Sequence, residues 1–201
     1  DANTTGSYNV AVGKGAMGNN TTADYNVAVG IEALLGNTTG TRNTAVGSFS
    51  LYTASTANDN IAIGYDALKL NTTGDENIAV GSYALDANTT ADGNTAIGYQ
   101  ALTANTTGGI SVAVGRYALA TQTTGGSNVA VGEQSMRYNQ TGNTNTAVGQ
   151  GSLYSNTTAH NNVAVGFNNM ISNTTGTENV AVGRQALYTV SYTHLRAHET
   201  R

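Results

Sequence analysis

Asn77-Ile78-Ala79-Val80-Gly81 decides the fold, because close variants of this five-residue word recur along most of the chain. The glycine that ends the word returns every 17 residues, in eleven copies, without insertion or deletion. The eleven glycines are Gly13, Gly30, Gly47, Gly64, Gly81, Gly98, Gly115, Gly132, Gly149, Gly166 and Gly183. Such strict periodicity predicts a repeat protein in which every unit has the same shape.

The unit itself is predicted to be all-β. Ile78 and Val80 alternate with the small residues Ala79 and Gly81, which is the period of a strand. Seventeen residues leave no room for an ordinary helix beside a strand and two turns. We therefore predict a β-solenoid of eleven coils over residues 1–189. The Asn-Thr-Thr-Gly or Asn-Thr-Thr-Ala block should form the return turn.

A second short strand is predicted around a Leu or Met that follows each glycine by four residues. This column is Met17, Leu34, Leu51, Leu68, Leu85, Leu102, Leu119, Met136, Leu153, Met170 and Leu187. Stacked strands are about 4.8 Å apart, so identical side chains should lie above one another. The asparagine that begins each word, such as Asn77, should then form a hydrogen-bonded ladder.

The alternation of large and small residues in the word predicts which side of the strand faces inward. We expect the Ile and Val side chains to fill the coil and the Ala and Gly face to allow close approach of another chain. The expected interface of a homotrimer is therefore the alanine column Ala11, Ala28, Ala45, Ala62, Ala79, Ala96, Ala113, Ala130, Ala147, Ala164 and Ala181.

Charge and composition exclude several classes of function. Charged residues make up 10% of the 201 residues and the formal net charge is -4, which argues against a nucleic-acid partner. Within residues 1–189 the charges fall at five of the 17 positions, namely one, two, five, eleven and twelve after the glycine, which we expect to face water. There is no cysteine, and no apolar run approaches the ~20 residues of a membrane span.

Aromatic residues concentrate one or two positions after the glycine. An exposed strip of such rings could stack on sugars or protein ligands, whereas the alternative is packing between neighbouring coils. The candidate ligand-facing residues are Phe49, Tyr65, Tyr83, Tyr99, Tyr117 and Phe167.

The words Asn-Val-Ala-Val-Gly and Asn-Ile-Ala-Ile-Gly (60–64), followed by Ala-Leu, resemble the YadA-like head repeat of trimeric autotransporter adhesins. The resemblance covers 1–189 and implies a left-handed parallel β-roll, a homotrimer and adhesive display on the bacterial cell surface, with a protein or carbohydrate ligand. Residues 94–102 are also similar to repeats of phage and bacterial tail fibres, so a tail-fibre shaft is the alternative. The family's usual repeat is shorter than this one.

Catalytic, metal and cofactor sites are not predicted. His160 is the only histidine before the tail and sits at a turn position without Cys or His partners. Asp75, Glu76 and Asp92 lack the periodicity of calcium solenoids. The recurring Asn-x-Thr words match glycosylation acceptors, but a stacked turn produces the same motif. Ice binding is a lesser alternative, because adjacent threonines in a strand would point to opposite faces.

The two ends do not follow the repeat. The chain begins in mid-repeat without Met, so we expect it to be part of a longer protein. Residues 190–201 resemble a translated sequencing adapter, and we interpret them as a non-native tail.

Overall fold

The computed structural model describes residues 3–188, and these form one all-β solenoid without a helix. Eleven three-residue strands make a single parallel sheet in sequence order. The strands are β1 Val10–Val12, β2 Val27–Val29, β3 Thr44–Val46, β4 Ile61–Ile63, β5 Ile78–Val80, β6 Thr95–Ile97, β7 Val112–Val114, β8 Val129–Val131, β9 Thr146–Val148, β10 Val163–Val165 and β11 Val180–Val182. The predicted β-solenoid is confirmed, whereas the expected tail at 190–201 lies outside the described residues.

The register of the sheet follows the sequence repeat. Ile61 pairs with Ile78 and Ala62 with Ala79, so each residue lies over its equivalent 17 positions away. We number the coils 1 to 11 from the repeated glycines, so that coil 1 begins at Gly13 and coil 11 at Gly183. Each strand from β2 to β10 therefore hydrogen-bonds to the strands of the coils above and below it, whereas β1 and β11 form the two ends of the described sheet.

The orientation of the strand is the reverse of the one predicted. Ala62 and Ala79 are fully buried, whereas Ile61 and Ile63 are 37% and 40% exposed. The coil is narrow, and the buried leucine column already occupies its interior, so only a methyl group remains for the strand to contribute. The Ile and Val side chains consequently project outward.

The predicted trimer interface is therefore wrong. Ten alanines of the column lie inside the chain's own core, where no second chain can reach them. They are Ala28, Ala45, Ala62, Ala79, Ala96, Ala113, Ala130, Ala147, Ala164 and Ala181. Ala11 is exposed, because β1 is the first strand of the described stack.

The repeated glycine is required by the adjacent coil rather than by another chain. Gly81 has φ +133°, a conformation that residues with a Cβ rarely adopt. A Cβ built on Gly81 would also lie 2.6 Å from the carbonyl oxygen of Gly98 in the next coil. Each coil thus changes direction at a glycine that lies in close contact with the backbone of the next coil.

The second predicted strand is not formed in the described residues. The leucine column lies in a turn instead, and Leu85 has φ 50°. Its N–H still donates to the carbonyl of Ala101 in the next coil, at 3.0 Å. Left-handed residues reverse the chain more sharply than a strand can, so the coil closes within 17 residues.

The asparagine ladder is confirmed. The backbone N–H of Asn77 donates to Oδ1 of Asn60 at 2.9 Å, and its own Nδ2 donates to the carbonyl of Ala91 at 2.8 Å. A second ladder runs through the return turn, where Nδ2 of Asn88 donates to Oδ1 of Asn71 at 2.9 Å. The return-turn asparagines belong to the Asn-x-Thr words, and from Asn20 to Asn173 they are buried, whereas Asn3 is exposed.

Candidate functional site

An unbroken series of aromatic contacts crosses the coils on the side of the molecule that follows the glycine corner. Phe49, Tyr65, Tyr83, Tyr99 and Tyr117 come from five successive coils. Their ring centroids are 6.0, 5.5, 6.1 and 5.6 Å apart, and each pair meets edge to face. Edge-to-face contacts of this kind add stability beyond the burial of area.

The repeat explains how the rings reach one another. They alternate between the second position after the glycine, as in Tyr83, and the first, as in Tyr99. The second position is left-handed, with φ 61° at Tyr83, and this backbone directs the ring toward its neighbours in the adjacent coils. Tyr65 and Tyr99 remain 45% and 42% exposed, so the rings pack on one another and also face solvent.

The series continues through residues that sequence reasoning missed. At one end Tyr52 packs edge to face on Phe49, at 6.0 Å. At the other end the guanidinium of Arg137 lies 4.6 Å from the ring centre of Tyr117 and 5.5 Å from that of Tyr138. Tyr138 then packs on Tyr154 at 5.0 Å. We call this set the aromatic ladder: Tyr52, Phe49, Tyr65, Tyr83, Tyr99, Tyr117, Arg137, Tyr138 and Tyr154.

Five of the six predicted aromatic residues thus belong to the ladder. Phe167 does not join it, and its contact among the described residues is with Arg184, at 5.7 Å. Of the four missed residues, Tyr52, Arg137 and Tyr154 lie five positions after a glycine and Tyr138 lies six positions after one. They were missed because a second strand was predicted around the leucine column. In the structure a turn replaces that strand and places the fifth residue after the glycine beside the second.

Coil 4 holds an ion pair under the ladder. Lys69 Nζ lies 3.1 Å from Asp66 Oδ2 and 5.5 Å from the ring centre of Phe49. The hydrogen bond to Asp66 raises the pKa of Lys69, against the lowering effect of burial. Asp66 is 6% exposed and is the exception to the prediction that charged positions face water. Its Oδ1 has no hydrogen-bond partner among the described residues.

Further charged residues lie beside the ladder in coils 5, 7 and 8. Burial raises the pKa of the Asp86 carboxyl, although Thr103 donates a hydrogen bond to it at 2.6 Å. Arg116 forms an ion pair with Glu133. Within residues 3–188, neither Asp86 nor Arg137 takes part in an ion pair.

A second candidate surface lies on the outer side of the sheet. Two columns of Val, Ile and Thr side chains project outward from every strand, fourteen and sixteen positions after the glycine. We call these two columns the outer stripe. Its most exposed members are Val10, Val12, Ile61, Ile63, Ile97, Val112, Val131, Val148, Val180 and Val182. Ten steps of about 4.8 Å give the stripe a length of about 48 Å.

The polar side chains of the turns form hydrogen bonds within the chain. The hydroxyl of Thr72 donates to the carbonyl of Thr89 at 2.9 Å, and other threonines of the same column repeat this bond. His160 lies in an exposed turn, as predicted, and its Nδ1 accepts the N–H of Asn143 at 2.9 Å. Asp75 makes the equivalent contact at the same position of coil 4, where its Oδ1 accepts the N–H of Asn58.

In the part of the chain that the structure describes, no three His, Asp or Glu side chains group as ligands for a metal ion. Nor does any helix there have the length and apolarity needed to cross a membrane.

No protein-family model, no curated protein and no solved structure matches the chain. The functional argument therefore depends on the two surfaces just described. The aromatic ladder and the neighbouring Asp86 offer partly exposed rings and two charges, Asp86 and Arg137, without an ion pair among the described residues, which suits binding by stacking and charge pairing. The outer stripe offers mainly Val and Ile side chains, with Thr on three strands and no charge, which suits burial against another protein surface.

Proposed function

We propose that the chain is a non-catalytic structural and adhesive segment of an extracellular trimeric fibre. The proposal places it with the YadA-like heads of trimeric autotransporter adhesins, at the bacterial cell surface. Three copies would lie side by side about one axis and display their ladders outward to a protein or carbohydrate ligand. A tail-fibre shaft would share this architecture, and the flanking sequence would distinguish the two.

The outer stripe is the observation that carries the proposal. Val, Ile and Thr side chains project outward on all eleven strands, and a contiguous exposed apolar patch usually marks an interface. The strand places Ile61 and Ile63 outward while Ala62 is buried. Burying this stripe in a symmetric assembly removes the apolar area from water along the whole fibre.

Identical coils also suit a fibre. Each coil contacts only its neighbours, so the array extends by repetition without a new core. Partners with the same rung spacing stay in register over any length. The stripe on a neighbouring copy therefore matches at every coil once it matches at one.

The test is the solution mass of residues 1–189, measured by light scattering. We expect three times the mass of one chain. The double variant Ile63→Asp and Ile97→Asp should fall to the mass of one chain, because it buries two carboxylates in the proposed interface. Ile110→Asp is the matched control, since Ile110 is 72% exposed but lies outside the stripe. A folded wild-type chain with the mass of a monomer would overturn the proposal.

A further inference from the structure

On the ladder side of the molecule, acidic residues that are unpaired within the described chain lie toward one end of the stack and unpaired basic residues toward the other. Two antiparallel copies would therefore set acids against bases. We consider the side chains one, two and five positions after the glycine in coils 2 to 11, and call them the ladder face. Within the described residues, four charges of this face lack an ion pair: Glu32, Asp86, Arg137 and Arg184. The two acids belong to coils 2 and 5, and the two bases to coils 8 and 11.

We propose that two copies of this chain dock antiparallel through their ladder faces, about a two-fold axis between coils 6 and 7. This pairing sets coil 5 against coil 8 and coil 2 against coil 11. Asp86 of one copy then meets Arg137 of the second, and Glu32 meets Arg184. A two-fold interface makes each contact twice, so all four unpaired charges find partners.

The other residues of the ladder face, which are uncharged or already form an ion pair within the chain, fit the same arrangement. Coil 3 meets coil 10, which brings Phe49 against Phe167. Coil 4 meets coil 9, which places the ammonium of Lys69 against the ring of Tyr154, a cation–π arrangement. Coils 6 and 7 meet each other, so that Tyr99 faces Tyr117. Coil 8 also carries Glu133 on this face, but its charge is paired with Arg116 within the same chain.

The repeat supplies the register for this contact. Both copies have the same rung spacing of about 4.8 Å, so one correct pairing aligns all ten coils. Asp86 and Arg137 are three coils apart within one chain, about 14 Å, which is too far for them to pair there. A parallel arrangement in register would instead set Asp86 against Asp86 and Arg137 against Arg137.

This inference gives the adhesive segment a partner, namely a second fibre of the same kind, and in that sense it rests on the proposed function. The contact strip is only a few side chains wide, so a single pair of strips should associate weakly and many together should associate firmly. The experiment described next measures charge pairing between fibres, whereas light scattering measures the mass of the trimer. Either proposal can therefore fail without the other.

The experiment places residues 1–189 on two colours of beads and counts mixed clusters. Wild-type beads should cluster. Beads carrying Asp86→Lys, and beads carrying Arg137→Glu, should each lose clustering with themselves, because like charges then meet twice. Mixing these two kinds should restore clustering. The double variant should cluster with itself and not with wild type.

Glu178→Lys is the control, because Glu178 is exposed and lies twelve positions after its glycine, off the ladder face. Circular dichroism melts check that each variant folds. The restored clustering of the mixed pair is the result expected from antiparallel docking. Clustering of Asp86→Lys beads with themselves, or no clustering of the mixed pair of folded variants, would overturn it.

Discussion

Single residues in left-handed backbone conformations make the coil close. Each full coil holds such residues two, four and twelve positions after its glycine, as at Tyr83, Leu85 and Glu76, with φ of 61°, 50° and 58°. For residues with a Cβ, each left-handed position costs roughly 1–2 kcal/mol. The packed leucine core and the ladders of hydrogen bonds must offset that cost in every coil.

Replacing an exposed left-handed residue by glycine should therefore stabilise the chain. Glu76 is exposed, and the equivalent position of the next coil is already Gly93, with φ 68°. We expect Glu76→Gly to raise the free energy of unfolding by about 1 kcal/mol. Thr73→Gly, at an exposed position without positive φ, should lower it by roughly 0.5–1 kcal/mol. Denaturant unfolding of both variants measures the difference, and equal signs would contradict the argument.

The buried side of the ladder predicts a pH dependence. Burial raises the pKa of Asp86 in the folded chain above its unfolded value. The folded state then binds the proton more tightly, so this group removes stability as pH rises through the interval between the two pKa values. Asp86→Asn should therefore melt at a higher temperature than wild type at neutral pH. The difference should vanish below the unfolded pKa of about 3.9, and a constant difference would show another cause.

At the scale of elements, the coil is a strand, a turn and a return, each tied to the next coil by a ladder. The return-turn ladder is interrupted by Ala54 and Gln122, and the other ladder is interrupted by Ser111, which lies close to Gln122. The interruptions at Ser111 and Gln122 compensate each other. Gln122 Nε2 donates to Ser111 Oγ at 3.2 Å, and Asn128 Nδ2 donates to Gln122 Oε1 at 2.9 Å.

This contact predicts that the two positions are energetically coupled. Ser111→Asn alone should crowd a fully buried site, and Gln122→Asn alone should remove the hydrogen bond that Gln122 Nε2 donates to the Ser111 hydroxyl. We expect each single change to cost about 1–3 kcal/mol. The double variant places asparagine at both positions and should lie close to wild type. A double-mutant cycle measures the coupling, and simple additivity would contradict it.

The orientation of the strand makes a second prediction at this scale. Ala79 is fully buried, so Ala79→Leu should overpack the core and cost about 1–3 kcal/mol. Asp75→Asn keeps the Oδ1 that accepts the N–H of Asn58 at 2.6 Å, and should change stability little. Thermal unfolding of the two variants compares them. An unchanged melting temperature in Ala79→Leu would mean that the alanine faces outward after all.

The whole molecule is a one-dimensional stack, and this limits which deletions it accepts. Gly149–Val165 is one complete coil, and its removal brings equivalent residues together at every position. Folding should persist, with a lower melting temperature, because a repeat array loses roughly one unit and one interface. Removing Gly149–Gly166 takes one residue more and also takes the glycine of the next corner.

The longer deletion should divide the stack. Phe167 would then occupy a corner where Gly149 and Gly166 have φ of 127° and 134°, and every later residue would shift by one position. A one-residue shift turns each strand over, so that Val faces the core and Ala faces water. Circular dichroism and unfolding cooperativity distinguish the two deletions. Equal, cooperative melts would show that the register is not set by the repeat.

Comparison of sequence and structure shows what local chemistry can decide. The period of 17 residues, the strand at Ile78–Val80 and the asparagine ladder were all predictable, because each depends on residues repeated in every coil. Only some of the columns that form the aromatic ladder could be predicted from the sequence. Phe49 and Tyr65 stand in the expected columns, whereas Arg137 comes from a column that the expected second strand kept away.

The sequence by itself determined that the chain is an all-β solenoid, because a short, invariant repeat can stack in only a few ways. Only the tertiary structure decided which face of the strand is inside. Alternation marks two faces but not their directions, and here the left-handed turn places Leu85 and its equivalents so that the space left opposite them admits alanine alone. Isoleucine and valine are therefore on the surface, because the coil is too narrow to hold them.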